Sequence, residues 1–140
     1  ILIIMAIDYG DVRTGVAVCD KMEMLASPVC IIEQRNQEIL IDKICELAGQ
    51  YKAEQIVVGL PKNMDSSEGE RAQKCKNFAD SLSEKSGIET VLRDERLSTV
   101  VAHNILNATN TRGKKRKAVV DQVAAVMILQ DYIDFRKNQR

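Results

Sequence analysis

The sequence has no tryptophan, two prolines and one histidine, and aromatic residues make up only 4% of its 140 residues. So few aromatic side chains argue against a surface that stacks on several single-stranded bases. The 20 basic and 20 acidic residues give a formal net charge of zero. A neutral chain is not a general binder of polyanions, so any affinity for nucleic acid must come from a local cluster of charge.

The four cysteines, at positions 19, 30, 45 and 75, form no C-x-x-C pair. This spacing predicts neither a zinc site nor a disulfide framework, and we expect reduced thiols that pack in the interior. No apolar run reaches the roughly 18 residues of a membrane-spanning helix, and the first segment has neither a basic leader nor a cleavage site. We therefore expect a cytoplasmic protein with residues 1–140 forming one domain.

Hydrophobic periodicity predicts the element order βββαβαβαα. Three early strands joined by short turns imply antiparallel pairing, and Pro28 places the third at an edge of the sheet or lies near the start of that strand. The later βα units add two parallel strands, which indicates an α/β fold with a mixed five-stranded sheet flanked by helices. The predicted strands cover 1–7, 16–19, 25–33, 55–58 and 89–93, and the helices cover 37–51, 72–82, a short segment after Ser98, and 118–135. Residues 107–117 are expected to form an exposed loop, kept flexible by Gly113.

Carboxylates stand at three informative places. Asp8 ends the buried first strand, Asp94 and Glu95 end the last strand, and Asp121 interrupts an apolar stretch of the terminal helix. A buried aspartate must be paired, hydrogen-bonded or bound to a cation, and a cluster of carboxylates suits Mg²⁺ or Mn²⁺. The alternative is that each acid caps a turn, pairs with a nearby arginine or is satisfied within its helix.

Four blocks occur in order along the chain: DYGDVRTGVAVCD at 8–20, VVGLPKNMDSSEGERA at 57–72, DERLST at 94–99 and KKRKAVVDQVAAVMILQDY at 114–132. Together they resemble the YqgF, or RuvX, family of pre-16S rRNA nucleases, which are similar to RuvC-type Holliday junction resolvases with a ribonuclease H-like fold. The resemblance implies metal-dependent hydrolysis of phosphodiesters at the 5′ end of the small-subunit rRNA precursor. It assigns catalysis and metal binding to Asp8, Glu95 and Asp121, with Asp94 as the alternative to Glu95.

One departure concerns Gly59-Leu60-Pro61, where the wider group of resolvases places a carboxylate, and it leaves open whether one or two metals bind. Arg13 lies in the first turn, the loop 59–69 precedes a helix, and a basic run from Arg112 to Lys117 precedes Asp121. These groups fit a phosphate backbone. The residues expected to bind nucleic acid are Arg13, Lys62, Asn63, Ser67, Arg96, Arg112, Lys114, Lys115, Arg116 and Lys117.

The sequence leaves other functions open. The expected substrate is structured rRNA precursor, free or within ribosomal precursor particles, or else branched DNA, and the chain is expected to act as a monomer or a homodimer. A non-catalytic module for ribosome assembly or transcription is a second possibility, because a fold does not establish activity. Asp8-x-Gly10 followed by Thr14-Gly15 also resembles the first phosphate loop of actin-like and sugar-kinase ATPases, although those enzymes close two lobes over the nucleotide.

Overall fold

Five strands and three helices make up the part of the chain described by the computed structural model: residues 2–61, 69–94 and 113–138, with only the backbone given for 113–122. Glu95, Arg96, the candidates of the loop 62–68 and the short helix expected after Ser98 lie outside it. The strands are β1 (Ile4–Asp8), β2 (Arg13–Cys19), β3 (Ala26–Glu33), β4 (Gln55–Leu60) and β5 (Glu89–Asp94). The helices are α1 (Gln37–Tyr51), α2 (Glu70–Ser86) and α3 (Gly113–Asn138).

The strands form one mixed sheet in the order β3-β2-β1-β4-β5. β1 pairs antiparallel with β2, and β2 pairs antiparallel with β3. β4 lies parallel to both β1 and β5. The predicted fold class and strand pairing are therefore confirmed. β1 and β4 are apolar along nearly their whole length because they are central strands, covered on both sides.

β3 is an edge strand, as Pro28 predicted. Cys30 pairs with Val16 and Pro28 pairs with Ala17, so the register shifts at Val29. Proline cannot donate a ladder hydrogen bond, and a register shift bends the strand locally. Both features oppose pairing of this edge with another chain.

Side chains of β1 alternate between two packed layers. Met5 and Ile7 join α1 and α2 in one core, and we call this side of the sheet the α1/α2 face. Ile4 and Ala6 join α3 in a second core, and this side is the α3 face. The helix α1 has the predicted limits, and Asn36 caps it by accepting a hydrogen bond from the Ile39 amide.

Two polar contacts fix the direction of α3 across the sheet. The Tyr132 hydroxyl donates to Oε1 of Gln55, at the start of β4, over 2.9 Å. Arg136 binds Glu23, which in turn accepts a hydrogen bond from the Leu2 amide just before β1. The end of α3 therefore lies where β1 and β4 begin, and its earlier turns extend toward the edge where these strands end.

The expected loop over 107–117 is wrong for its last five residues, because α3 begins at Gly113 rather than at Ala118. Lysine and arginine are good helix formers, so the basic run continues the helix that packs on the sheet. Within the part of the chain with described coordinates, no helix is long and apolar enough to cross a membrane.

Candidate active site

Asp8 is the last residue of β1 and is half-buried. β1, β4 and β5 are parallel, so all three end at this same edge of the sheet. Alternation from Ile4 and Ala6 places the Asp8 side chain on the α3 face. Its partner in β2 is Gly15. In β4, Val58 is the partner of Ile7, so the next residue, Gly59, lies beside Asp8. The positions directly beside Asp8 in the two neighbouring strands are therefore glycines.

Asp94 ends β5 at the same edge, but on the opposite side of the sheet. Val91 packs in the α3 core, and the Arg93 guanidinium bonds Asp131 of α3 over 2.8 Å, so odd-numbered residues of β5 are on the α3 face. Asp94 consequently points to the α1/α2 face. It also lies two strands away from Asp8, about 10 Å at ordinary strand spacing. The structure brings Asp8 and Asp94 to one edge without placing their side chains together.

The turn after Asp8 requires glycine. A Cβ at Gly10 would lie 2.0 Å from the carbonyl oxygen of Arg13, far closer than any allowed contact. The buried Thr14 hydroxyl bridges the same turn, because it accepts from the Gly10 amide over 3.3 Å and lies 3.4 Å from the Gly10 carbonyl oxygen. The backbone that follows Asp8 is thus a tight and internally bonded turn.

A second brace on this turn comes from α2. The Tyr9 ring stacks on the buried Phe78 ring, with centroids 4.1 Å apart, and the Arg71 guanidinium carbon lies 5.0 Å from the Tyr9 centroid. Arg71 also donates to Asp11 over 2.8 Å and to the Tyr9 carbonyl oxygen. Burial raises the pKa of the Tyr9 hydroxyl, while the positive charge of Arg71 acts in the opposite direction.

Arg71 was not among the residues predicted from the sequence. Its contacts join positions 60 and 62 residues apart. The only local signal was its place in the SSEGERA block, just inside the start of a helix. The loop residues Lys62, Asn63 and Ser67 carry more obvious phosphate-binding groups in the same block.

Arg13 lies on the α3 face, two residues before Gly15 in β2. Its Nε is 3.3 Å from Oε1 of Glu33 in β3, and about a quarter of its side chain is exposed. Asp121 and Lys114–Lys117 belong to the first part of α3, residues 113–122, for which only the backbone is described. Glu95, Lys62, Asn63, Ser67, Arg96 and Arg112 lie outside the described residues.

Among the residues with described side chains, no three Asp, Glu, His or Cys groups are close enough to hold a metal ion together. Asp8 nevertheless fits a hard divalent cation, because it is a half-buried oxygen donor at a strand end flanked by two glycines. Further ligands would have to come from the segment after β5 and from the start of α3.

Solved structures share this architecture. The Thermus thermophilus RuvC structure in complex with a Holliday junction substrate matches with a TM-score of 0.62 and 11% identity, covering 99% of this chain and 97% of that one. The fowlpox virus Holliday junction resolvase matches with a TM-score of 0.56 and 12% identity, covering 96% and 99%. At such identities the likeness concerns the fold alone, which is that of ribonuclease H-like resolvases.

Sequence comparison identifies the family. Residues 2–135 match the family model RuvX, described as Holliday junction resolvase, and the chain belongs to this nuclease family. A relative from Agathobacter rectalis, named "Putative pre-16S rRNA nuclease", is 40% identical over 140 residues, covering 98% of each chain. A relative of the same name from Halothermothrix orenii is 44% identical over 133 residues, covering 95% of each. The resemblance noted from the sequence is confirmed, and it favours a nuclease over an ATPase.

Proposed function

We propose that this nuclease is a metal-dependent endonuclease that hydrolyses phosphodiester bonds in structured precursor rRNA, at the 5′ end of the small-subunit RNA. The observation that carries the proposal is the position of Asp8 at the end of the central strand, on the α3 face between Gly15 and Gly59. The names of the relatives point to rRNA as the substrate.

The course of α3 supports Asp121 as a second ligand. Tyr132 is bonded to Gln55, whose partner in β1 is Ile4. From Ile4 to Asp8 the strand advances about 13 Å. From Tyr132 back to position 121 the helix advances about 16 Å in the direction of the same edge. Position 121 also precedes the fully buried Ala125 by one turn, in the row of α3 that packs on the sheet.

The basic run supports an anionic substrate. Because α3 begins at Gly113, Lys114–Lys117 occupy its first turn, which contains no acidic residue. Positive side chains at the positive end of a helix dipole are unfavourable, by about 0.3–1 kcal/mol each when exposed. A phosphate backbone at this end would relieve that repulsion and would attract the substrate toward the edge that contains Asp8.

Asp8, Glu95 and Asp121 would hold Mg²⁺ or Mn²⁺. Bound there, such ions would supply an activated water and stabilise the leaving oxygen of the phosphodiester. The protein's own part is to fix the carboxylates and to neutralise the phosphate backbone. Arg13 is on the same face as Asp8 and would contact a phosphate beside the site. The sequence adds Lys62, Asn63, Ser67, Arg96 and Arg112 to the proposed phosphate contacts.

We take Glu95 rather than Asp94 as the proposed ligand after β5, because the alternation along β5 puts the Asp94 side chain on the opposite side of the sheet from Asp8. Because Asp94 points to the α1/α2 face, we expect Asp94→Asn to retain most of the cleavage activity of the unmodified protein. Glu95→Gln should instead lose cleavage as fully as a variant without Asp8. Initial rates with one labelled RNA under saturating Mn²⁺ compare the two, and the opposite ranking would assign the role to Asp94.

The direct test is a cleavage assay with Mn²⁺ on three substrates: precursor rRNA, a four-way DNA junction, and single strands of each. We expect products from precursor rRNA, with Asp8→Asn as the blank. Preferential cutting of the junction would instead make the protein a resolvase, an alternative favoured by the family description and by the fold shared with a junction-bound resolvase. Metal-independent RNA binding with no products would indicate a non-catalytic module.

A further inference from the structure

Asp8 and Tyr9 are consecutive, so they point to opposite sides of the sheet. Asp8 is on the α3 face, whereas the Tyr9 ring packs with Phe78 on the α1/α2 face. Whatever holds Tyr9 and the peptide that follows it therefore also fixes the direction in which the Asp8 carboxylate leaves the strand.

Arg71 holds this segment in three ways at once. Its Nη1 bonds Asp11 over 2.8 Å, its Nη2 donates to the Tyr9 carbonyl oxygen, and its guanidinium plane covers the Tyr9 ring. The Tyr9 ring thus contacts both the Arg71 guanidinium and the buried Phe78 ring. Only the guanidinium has the planar set of donors that can make these contacts together.

We propose that Arg71 is a positioning residue that fixes the Tyr9–Asp11 turn and thereby orients Asp8 for metal binding. This inference rests on the proposed metal-dependent function. Arg71 itself contacts neither metal nor substrate in this assignment, and it acts through the turn. Outer groups that orient a metal ligand commonly change metal affinity by about 10- to 100-fold when they are removed.

Lys74 provides a matched control on the same helix. Its Nζ is 3.9 Å from the same Oδ1 of Asp11, and the side chain is about half exposed. Replacing it with glutamine removes one positive charge next to Asp11, as Arg71→Gln does. The Lys74 change leaves the contacts of Arg71 with the Tyr9 ring and carbonyl in place.

The experiment measures Mn²⁺ affinity of the full chain by electron paramagnetic resonance, together with amide hydrogen exchange of residues 8–13 without metal. We expect Arg71→Gln to weaken Mn²⁺ binding about tenfold or more and to speed exchange of the Gly10 amide. Arg71→Lys should give the same result, because one ammonium group cannot replace the planar donors of the guanidinium. This variant serves as the test if the glutamine variant does not fold. Lys74→Gln should match the unmodified protein.

Two results separate this inference from the function on which it rests. If Asp8→Asn binds Mn²⁺ as tightly as the unmodified protein, the metal site itself is wrong. If Asp8→Asn loses Mn²⁺ but both Arg71 variants bind it normally, only the positioning role of Arg71 is overturned. Equal weakening by Lys74→Gln would also overturn it, because charge rather than geometry would then explain the effect.

Discussion

Replacing Asp8 with asparagine should lower phosphodiester cleavage by about a thousandfold or more, because a bound metal contributes several kcal/mol to stabilising the transition state. Asparagine has nearly the shape of aspartate, so the half-buried position at the end of β1 is still filled. It lacks the negative charge that a divalent ion requires. The measurement is the initial rate on precursor rRNA with Mn²⁺ in excess.

The same preparation needs two controls. Urea unfolding should show a free energy of unfolding within about 1 kcal/mol of the unmodified protein, which is the usual effect of a single point substitution. Binding of uncleaved RNA should persist, because the basic first turn of α3 is unchanged. Full cleavage by a purified and folded Asp8→Asn variant would refute the nuclease site proposed at this edge.

Glu23→Ala should destabilise the protein by about 3 kcal/mol, the lower end of the range for breaking a buried ion pair. The Glu23 side chain is fully buried, accepts from the Leu2 amide over 2.9 Å, and binds Arg136 through Nε over 2.9 Å and Nη2 over 3.3 Å. The carboxylate raises the pKa of the Arg136 guanidinium, chiefly through these hydrogen bonds. Its removal leaves the start of β1 and the end of α3 without their shared acceptor.

Glu33→Ala is the matched control for this prediction. Glu33 also pairs with an arginine, Arg13, but its side chain is 69% exposed, so the pair is screened by water. Its loss should cost no more than about 1 kcal/mol. Both variants are compared by urea denaturation. Equal losses for the two substitutions would show that Glu23 does not join α3 to the sheet in the way its contacts indicate.

Much of the fold could be predicted from the sequence because the pattern of each element is strong. β1 and β4 appear as short apolar runs, since central strands are buried on both sides, and α1 has clear helical spacing after a good cap at Asn36. The beginning of α3 was missed because a basic run after a glycine has the composition of a loop. Its helical conformation depends on continuity with residues that pack much later in the helix.

The candidate site was predictable only in part. Asp8 could be found because it ends an apolar run, a feature visible along the chain itself. The sequence left Asp94 and Glu95 as alternatives, and the face on which Asp94 lies follows only from the contact of Arg93 with α3. Arg71 could not be found from spacing, because its role arises from contacts with a turn distant in sequence.

The alternation at Asp8 and Tyr9 also limits how this gene can change. Inserting or deleting one residue within β1 would turn the Asp8 carboxylate to the α1/α2 face and the Tyr9 ring to the α3 face. The proposed metal ligand and the packing of Tyr9 on Phe78 would then be lost together. Apolar substitutions that conserve volume are tolerable at the buried residues Ile4–Ile7, whereas a change in the length of the strand is not.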